Sequence, residues 1–223
     1  MLRALLIYAA IGTAAYAAGP LDATFAMIDQ AAAKYTGLAA DVRQVTHTGA
    51  INEDVVDIGT ILIKRARPRD IRMLLDIKEP DAKQVLIDTK TVQQYFPKSL
   101  LVQEFNLAQY RSTVEQGLLL AFGTNSKDLA ASYSITPGGP ETIAGEKTTR
   151  LELVPKSSGM LAQFKRVDLW ISDTTGLTVQ QKLFQSGGDY HVMTYSNMKP
   201  GKNLPDPELK LPKGVKREYP QKK

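Results

Sequence analysis

The chain has 223 residues, no cysteine, two histidines and a formal charge of +5. Without disulfides, burial alone must hold the fold, and a chain of roughly 200 residues buries enough to do so. The basic excess gathers at the C-terminus in Lys213, Lys216, Arg217, Lys222 and Lys223, where it reads as a solvated tail.

The first element is a leader. Met1-Leu2-Arg3 is a short basic start, Ala4 to Ala15 is almost wholly apolar, and Ala15-Tyr16-Ala17 fits the small-x-small cleavage rule. Residues 1–17 therefore read as a secretory signal peptide, with residues 18–223 expected as one exported domain. The apolar run is shorter than the roughly 20 residues a membrane span needs. Export excludes nucleic acid as the expected partner.

After Pro20, the residues Leu21, Phe25, Ile28, Ala32 and Tyr35 share one helical face, and Gly37 is expected to end that helix. Six strands follow at roughly 39–48, 55–65, 70–78, 85–88, 92–96 and 100–105. Their short spacing leaves no room for parallel crossovers, so the pairing is expected to be antiparallel. Ser112 and Glu115 form a capping box opening a helix through Phe122, and a second short helix is expected around Asp128 to Tyr133. Strands return at roughly 148–154, 167–172, 179–185 and 190–197, with turns at Asp173 to Gly176 and Gly187 to Asp189. Alternation gives each strand a dry and a wet face: Ile71, Met73, Leu75 and Ile77 oppose Arg72, Asp76 and Lys78, and Leu151 with Leu153 opposes Arg150 and Glu152. About ten such strands must curl round their dry face, with the few helices plugging it.

Catalytic signatures are missing from this sequence: it has no G-x-S-x-G elbow, no H-E-x-x-H and no metal-spaced His and acidic cluster. No enzyme activity, cofactor or metal is expected. His47 and His191 lie far apart on predicted strands and read as ordinary strand histidines. One residue conflicts with its strand. Ile61 and Ile63 point to the dry face, and the same parity sends Arg65 there too.

The ordered segments Gly59-Thr-Ile-Leu-Ile-Lys-Arg65, Val85-Leu-Ile-Asp88-Thr-Lys90 before Tyr95-Phe96-Pro97, Leu151-Glu-Leu-Val-Pro155-Lys156, Leu169-Trp170-Ile171 and Leu209-Lys-Leu-Pro212-Lys-Gly214-Val215 resemble the periplasmic lipoprotein carriers of the LolA family. The resemblance implies an α+β fold: an antiparallel, incompletely closed β-barrel, or half-barrel, with an N-terminal helix and a helical lid over an apolar cavity. It also implies a monomeric periplasmic carrier that takes lipoprotein from an inner-membrane ABC extractor and passes it to an outer-membrane receptor. Cavity residues would be Ile61, Ile63, Ile71, Met73, Leu75, Val85, Ile87, Leu118, Leu119, Phe122, Leu151, Leu153 and Leu169. The family's arginine, which bonds to the lid and holds the empty cavity shut, falls on Arg65. Family members place proline directly after it, whereas here Ala66-Arg67 intervene before Pro68, so a strand bulge would give the role to Arg67. Two other readings stay open: a carrier of a different lipid, and a sensor module that binds a membrane regulator. Such sensors append a second domain, while only Pro205 to Lys223 follow the last predicted strand.

Overall fold

The computed structural model describes residues 19–67, 70–107, 120 and 122–220. Helix α1 (Pro20–Lys34) opens with Asp22 folding back to accept from the Gly19 backbone N–H at 3.2 Å. It buries Ile28 and Ala31, and the chain is already extended at Tyr35. Gly37 does not end the helix as expected; it opens a strand. A Cβ there would lie 3.0 Å from the Leu204 side chain and 3.1 Å from the Ile63 carbonyl, so close approach explains the glycine.

Twelve strands form one sheet. They are β1 (Gly37–Thr48), β2 (Glu53–Arg67), β3 (Asp70–Glu79), β4 (Lys83–Ile87), β5 (Thr91–Phe96), β6 (Leu101–Asn106), β7 (Tyr133–Ile143), β8 (Glu146–Pro155), β9 (Arg166–Ser172), β10 (Thr178–Phe184), β11 (Tyr190–Gly201) and β12 (Lys216–Glu218). Their order is β12-β6-β5-β4-β3-β2-β1-β11-β10-β9-β8-β7, and every pairing is antiparallel except β12 with β6. β7 and β12 are free edges, so the barrel is incomplete. The expected α+β half-barrel is the observed architecture.

Two strands escape the sequence reading. β7 contains Pro137-Gly138-Gly139-Pro140, which reads as loop, but it is an edge strand with a register shift between Pro137 and Gly139, where proline is tolerated. β12 is reached by a strap that leaves β11 beside β1 and arrives at β6 on the far side. Lys64, on the face opposite Ile63, anchors this strap: its Nζ donates to the Leu204 carbonyl at 3.0 Å and to Asp206 at 2.7 Å. That ammonium holds the Asp206 carboxyl below the usual carboxylate range.

The dry and wet faces fall where alternation puts them. Ile63, Ile77, Leu151 and Leu153 are completely buried on the concave side. On the convex side Arg150 lies 3.1 Å from both Glu141 and Glu152, and Arg166 Nε lies 2.9 Å from Asp168. Burial raises the Asp168 carboxyl above its ordinary value, and the Arg166 charge partly offsets this.

Short helices α2 (Ser126–Ser132) and α3 (Ser158–Leu161) add Leu129 and Met160 to the concave core. That core has two parts. One gathers β1, β2 and β3 with Ala31 and Phe122; the other gathers β8 and β9 with Ile28 and Leu120. α1 and the Leu120–Phe122 stretch each contribute to both, so a single plug covers the two halves of a sheet that cannot close on itself.

Candidate functional site

The site is built where β2 runs out under the C-terminus of α1. Ile61 is 2% exposed and Ile63 is not exposed at all, and Arg65 continues along the same side. Its guanidinium emerges against the plug. Nη2 donates to the carbonyls of Ala32 at 2.5 Å and Tyr35 at 3.3 Å, and Nη1 donates to the Gly123 carbonyl at 2.6 Å. Its backbone N–H also bonds to the Thr36 carbonyl at 2.8 Å.

These acceptors explain why a core boundary takes an arginine. The last carbonyls of a helix have no intrahelical donor and sit at the negative end of its dipole, so a cation there is favourable. Bonds from a charged donor contribute about 1.5–3 kcal/mol, roughly twice a neutral bond. Among the described residues no carboxylate pairs with Arg65, so uncharged carbonyls alone hold it.

Arg67 is separated from this arrangement. Arg65 pairs with Ile71 and Arg67 with Asp70, leaving a bulge between them, and Arg67 is exposed. The bulge expected from the displaced proline is present, but it turns Arg67 away rather than substituting it. Among the described residues it is Arg65, and not Arg67, whose guanidinium bonds to plug carbonyls.

Further polar ties surround it. Asp29 on α1 accepts from the Ser126 N–H and hydroxyl, both at 2.7 Å, and Thr178 Oγ1 donates to the Leu120 carbonyl at 3.0 Å. Gly123 has φ +89, and a Cβ there would sit 3.2 Å from Arg65 Nη1, so glycine lets the carbonyl approach the guanidinium.

Predicted cavity residues lie on one face. Ile61, Ile63, Ile71, Met73, Leu75 and Phe122 are buried together, with Val85 and Ile87 packed against them. Leu151, Leu153 and Leu169 line the other half. Leu118 and Leu119, with most of the capping-box helix, lie outside the described residues. Reasoning from sequence missed Ala31, Leu177, Leu129, Tyr195 and Met160; Leu177 follows a turn and carries no periodic signal. Ile28 was placed on the apolar helix face but not assigned to the site.

Among the described residues, little space remains beneath the plug. Between Ile28, Ala31, Leu120, Phe122, Leu169 and Leu177 there remains about 20 Å³, room for about one water. A larger opening of about 670 Å³ lies beside the strap, lined by Ala39, Thr60, Leu62, Leu74, Asp76, Met198 and Pro205 among others. Leu62 and Leu74 have the parity opposite to Ile61 and Met73, so most of this lining is on the convex side, while Ala40, Ile61 and Met198 of the apolar core also border it.

His47 and His191 do not meet. His47 pairs with Tyr190, stacking at 4.4 Å, while His191 pairs with Thr46 on the opposite face. Among the described residues no cluster of His, Cys, Asp or Glu could hold a metal, and no helix is long and apolar enough to cross a membrane.

The described residues thus form a one-sided apolar interior covered by α1, Leu120 and Phe122. No protein-family profile and no characterised protein matches the chain by sequence. Solved structures do match in fold. An uncharacterised conserved protein from Thermus thermophilus superposes with a TM-score of 0.54 at 13% identity, covering 88% of this chain and 96% of that one. The lipoprotein LppX of Mycobacterium tuberculosis gives 0.49 at 15% identity, covering 83% and 98%. A LolA superfamily protein from Nitrosomonas europaea gives 0.38 at 14% identity, covering 82% and 93%. At these identities the likeness is one of fold.

Proposed function

We propose that the protein is a periplasmic carrier that binds the acyl chains of lipoproteins on the concave face of its half-barrel. It would take them from an inner-membrane extractor and release them to an outer-membrane acceptor. The observation that carries this reading is the pairing of an apolar interior with a plug tied by bonds that can be undone. Arg65 bonded to Ala32, Tyr35 and Gly123 is the chief tie. The ordered motifs resembling LolA carriers and the leader-like residues 1–17 support the compartment and the cargo.

Energetics favour a latch. Burying an acyl chain gains about 0.8 kcal/mol per methylene, so full enclosure of two or three chains would exceed any releasable affinity. A filled interior lowers the net gain, because cargo must displace Ile28, Leu120 and Phe122 before it binds. Release then restores the plug and its hydrogen bonds, and transfer needs no catalysis.

Delipidated protein mixed with a triacylated lipopeptide should form a one-to-one complex by native mass spectrometry, and the same sequence acting in cells should co-purify with acylated protein. Failure to bind the lipopeptide in vitro together with consistently empty cellular protein would overturn the carrier reading. Capture of a transmembrane regulator with no lipid bound would favour a sensor instead.

A further inference from the structure

The concave face is not uniformly apolar. Leu151, Leu169, Gln181, Met193, Gln44 and Asp57 are successive partners across β8, β9, β10, β11, β1 and β2, forming one row inside the barrel. On the plug side of this row the interior is dry: Tyr195 is 1% exposed, Val42 2% and Ile77 0%. On the other side, towards the β1–β2 hairpin, Leu183, His191 and Thr46 are half-buried, and His191 Nδ1 lies 3.1 Å from Thr46 Oγ1. Along β10, β11 and β1 the row marks a step from a dry end to a half-buried edge, whereas on β8 and β9 Leu153 and Val167 keep that side buried.

Gln181 sits on that boundary in an unusual state. It is 8% exposed, and its Oε1 has no hydrogen-bond partner among the described residues. Its cross-strand neighbours Leu169 and Met193 belong to the two halves of the apolar core, so the carboxamide lies between them. Asp57, at the end of the row, is engaged by Lys83 at 2.9 Å and is not available to it. A buried acceptor without a donor costs free energy and calls for a reason. Leucine or methionine in its place would pack as well without that cost.

We propose that Gln181 is the polar-group subsite of the acyl-binding interior, and that it recognises the amide of an N-acylated amphiphile. This rests on the carrier reading and names the chemical class of the cargo. A secondary amide is trans and turns its N–H and its carbonyl to opposite sides, so it meets the Gln181 carboxamide through one bond: its N–H donates to Oε1, the acceptor left without a partner. An ester has no N–H and leaves the acceptor unmet. With its amide on the row, the cargo would run its chain towards Ile63 and α1 and its head towards the half-buried edge at Thr46 and His191.

The test compares N-methylpalmitamide with methyl palmitate, matched in chain length, on delipidated protein and on Gln181→Met. One added hydrogen bond in a dry site predicts about tenfold tighter binding of the amide by the wild type. In Gln181→Met the preference should vanish through weaker amide binding, with ester binding and thermal stability unchanged or improved; Gln181→Leu serves as a second variant. Equal wild-type binding of both probes, or a preference that survives both substitutions, would overturn the subsite while leaving the carrier reading intact. A lowered melting temperature in both variants would show a structural partner for Gln181 and overturn it as well. Failure of either probe and of the lipopeptide to bind at all would remove the carrier reading and this inference together.

Discussion

Arg65→Leu is expected to fold and to accept acyl cargo, but to hand it on at a tenth of the wild-type rate or less. The guanidinium makes its bonds only in the closed, plugged state, so its loss removes about 1.5–3 kcal/mol from that state. By mass action the loaded state gains by the same amount, a factor of about 10 to 100 in apparent affinity. Leucine also adds apolar surface to the interior. Folding survives because carbonyls, not a buried carboxylate, lose their partner, and breaking a charge pair is the costlier event. Arg67 is exposed beyond the bulge, so Arg67→Leu should transfer cargo like the wild type. A reconstituted transfer assay separates them: normal handoff by Arg65→Leu would remove the latch, and a defect confined to Arg67→Leu would reassign it.

Phe122→Ala is expected to lower the stability of the empty protein by about 3 kcal/mol while tightening its grip on cargo. Phe122 is 3% exposed in the plug and packs in the same cluster as Ile63 and Leu38. In the loaded state the acyl chain takes its place, so the substitution harms the empty form more than the complex. Leu169→Ala is the control, because Leu169 belongs to the sheet and faces whatever fills the interior, plug or cargo. It should lose stability and affinity together. Chemical unfolding of delipidated protein, paired with titration of a fluorescent acyl probe, reads both quantities. A fall in affinity for Phe122→Ala equal to that of Leu169→Ala would mean that Phe122 is sheet core and not plug.

Much of this arrangement is legible in the sequence, for reasons that particular residues display. β3 alternates Ile71, Met73, Leu75 and Ile77 against charged residues because one of its faces is dry and the other wet, and the structure buries all four. Parity alone carried Arg65 inward with Ile61 and Ile63. What parity could not supply was the effect of the bulge, which depends on how β3 pairs beyond Arg65. β7 was hidden because its prolines and glycines are tolerated only at a free edge, a fact of topology rather than of local pattern. Gln181 was hidden because Gln180-Gln181-Lys182 is polar at every position; a register shift between Thr178 and Gln180 and the burial of Leu169 beside it decide which of these residues faces inward. The core contribution of Ala31, in place of the expected Ala32, follows from the rotation of α1 about its axis, which tertiary packing sets.

The central claim is that plug and acyl chain compete for one surface, and hydrogen exchange on α1 tests it most directly. In delipidated protein the amides around Ile28 to Ala32 should be protected, since Ile28 and Ala31 are buried and the Ala32 carbonyl is held by Arg65. Loading with a triacylated lipopeptide should speed exchange along α1 while leaving β1, β2 and β3 at least as protected as before, because the same surface cannot serve both occupants. Unchanged or stronger protection of α1 in the loaded protein would contradict the account.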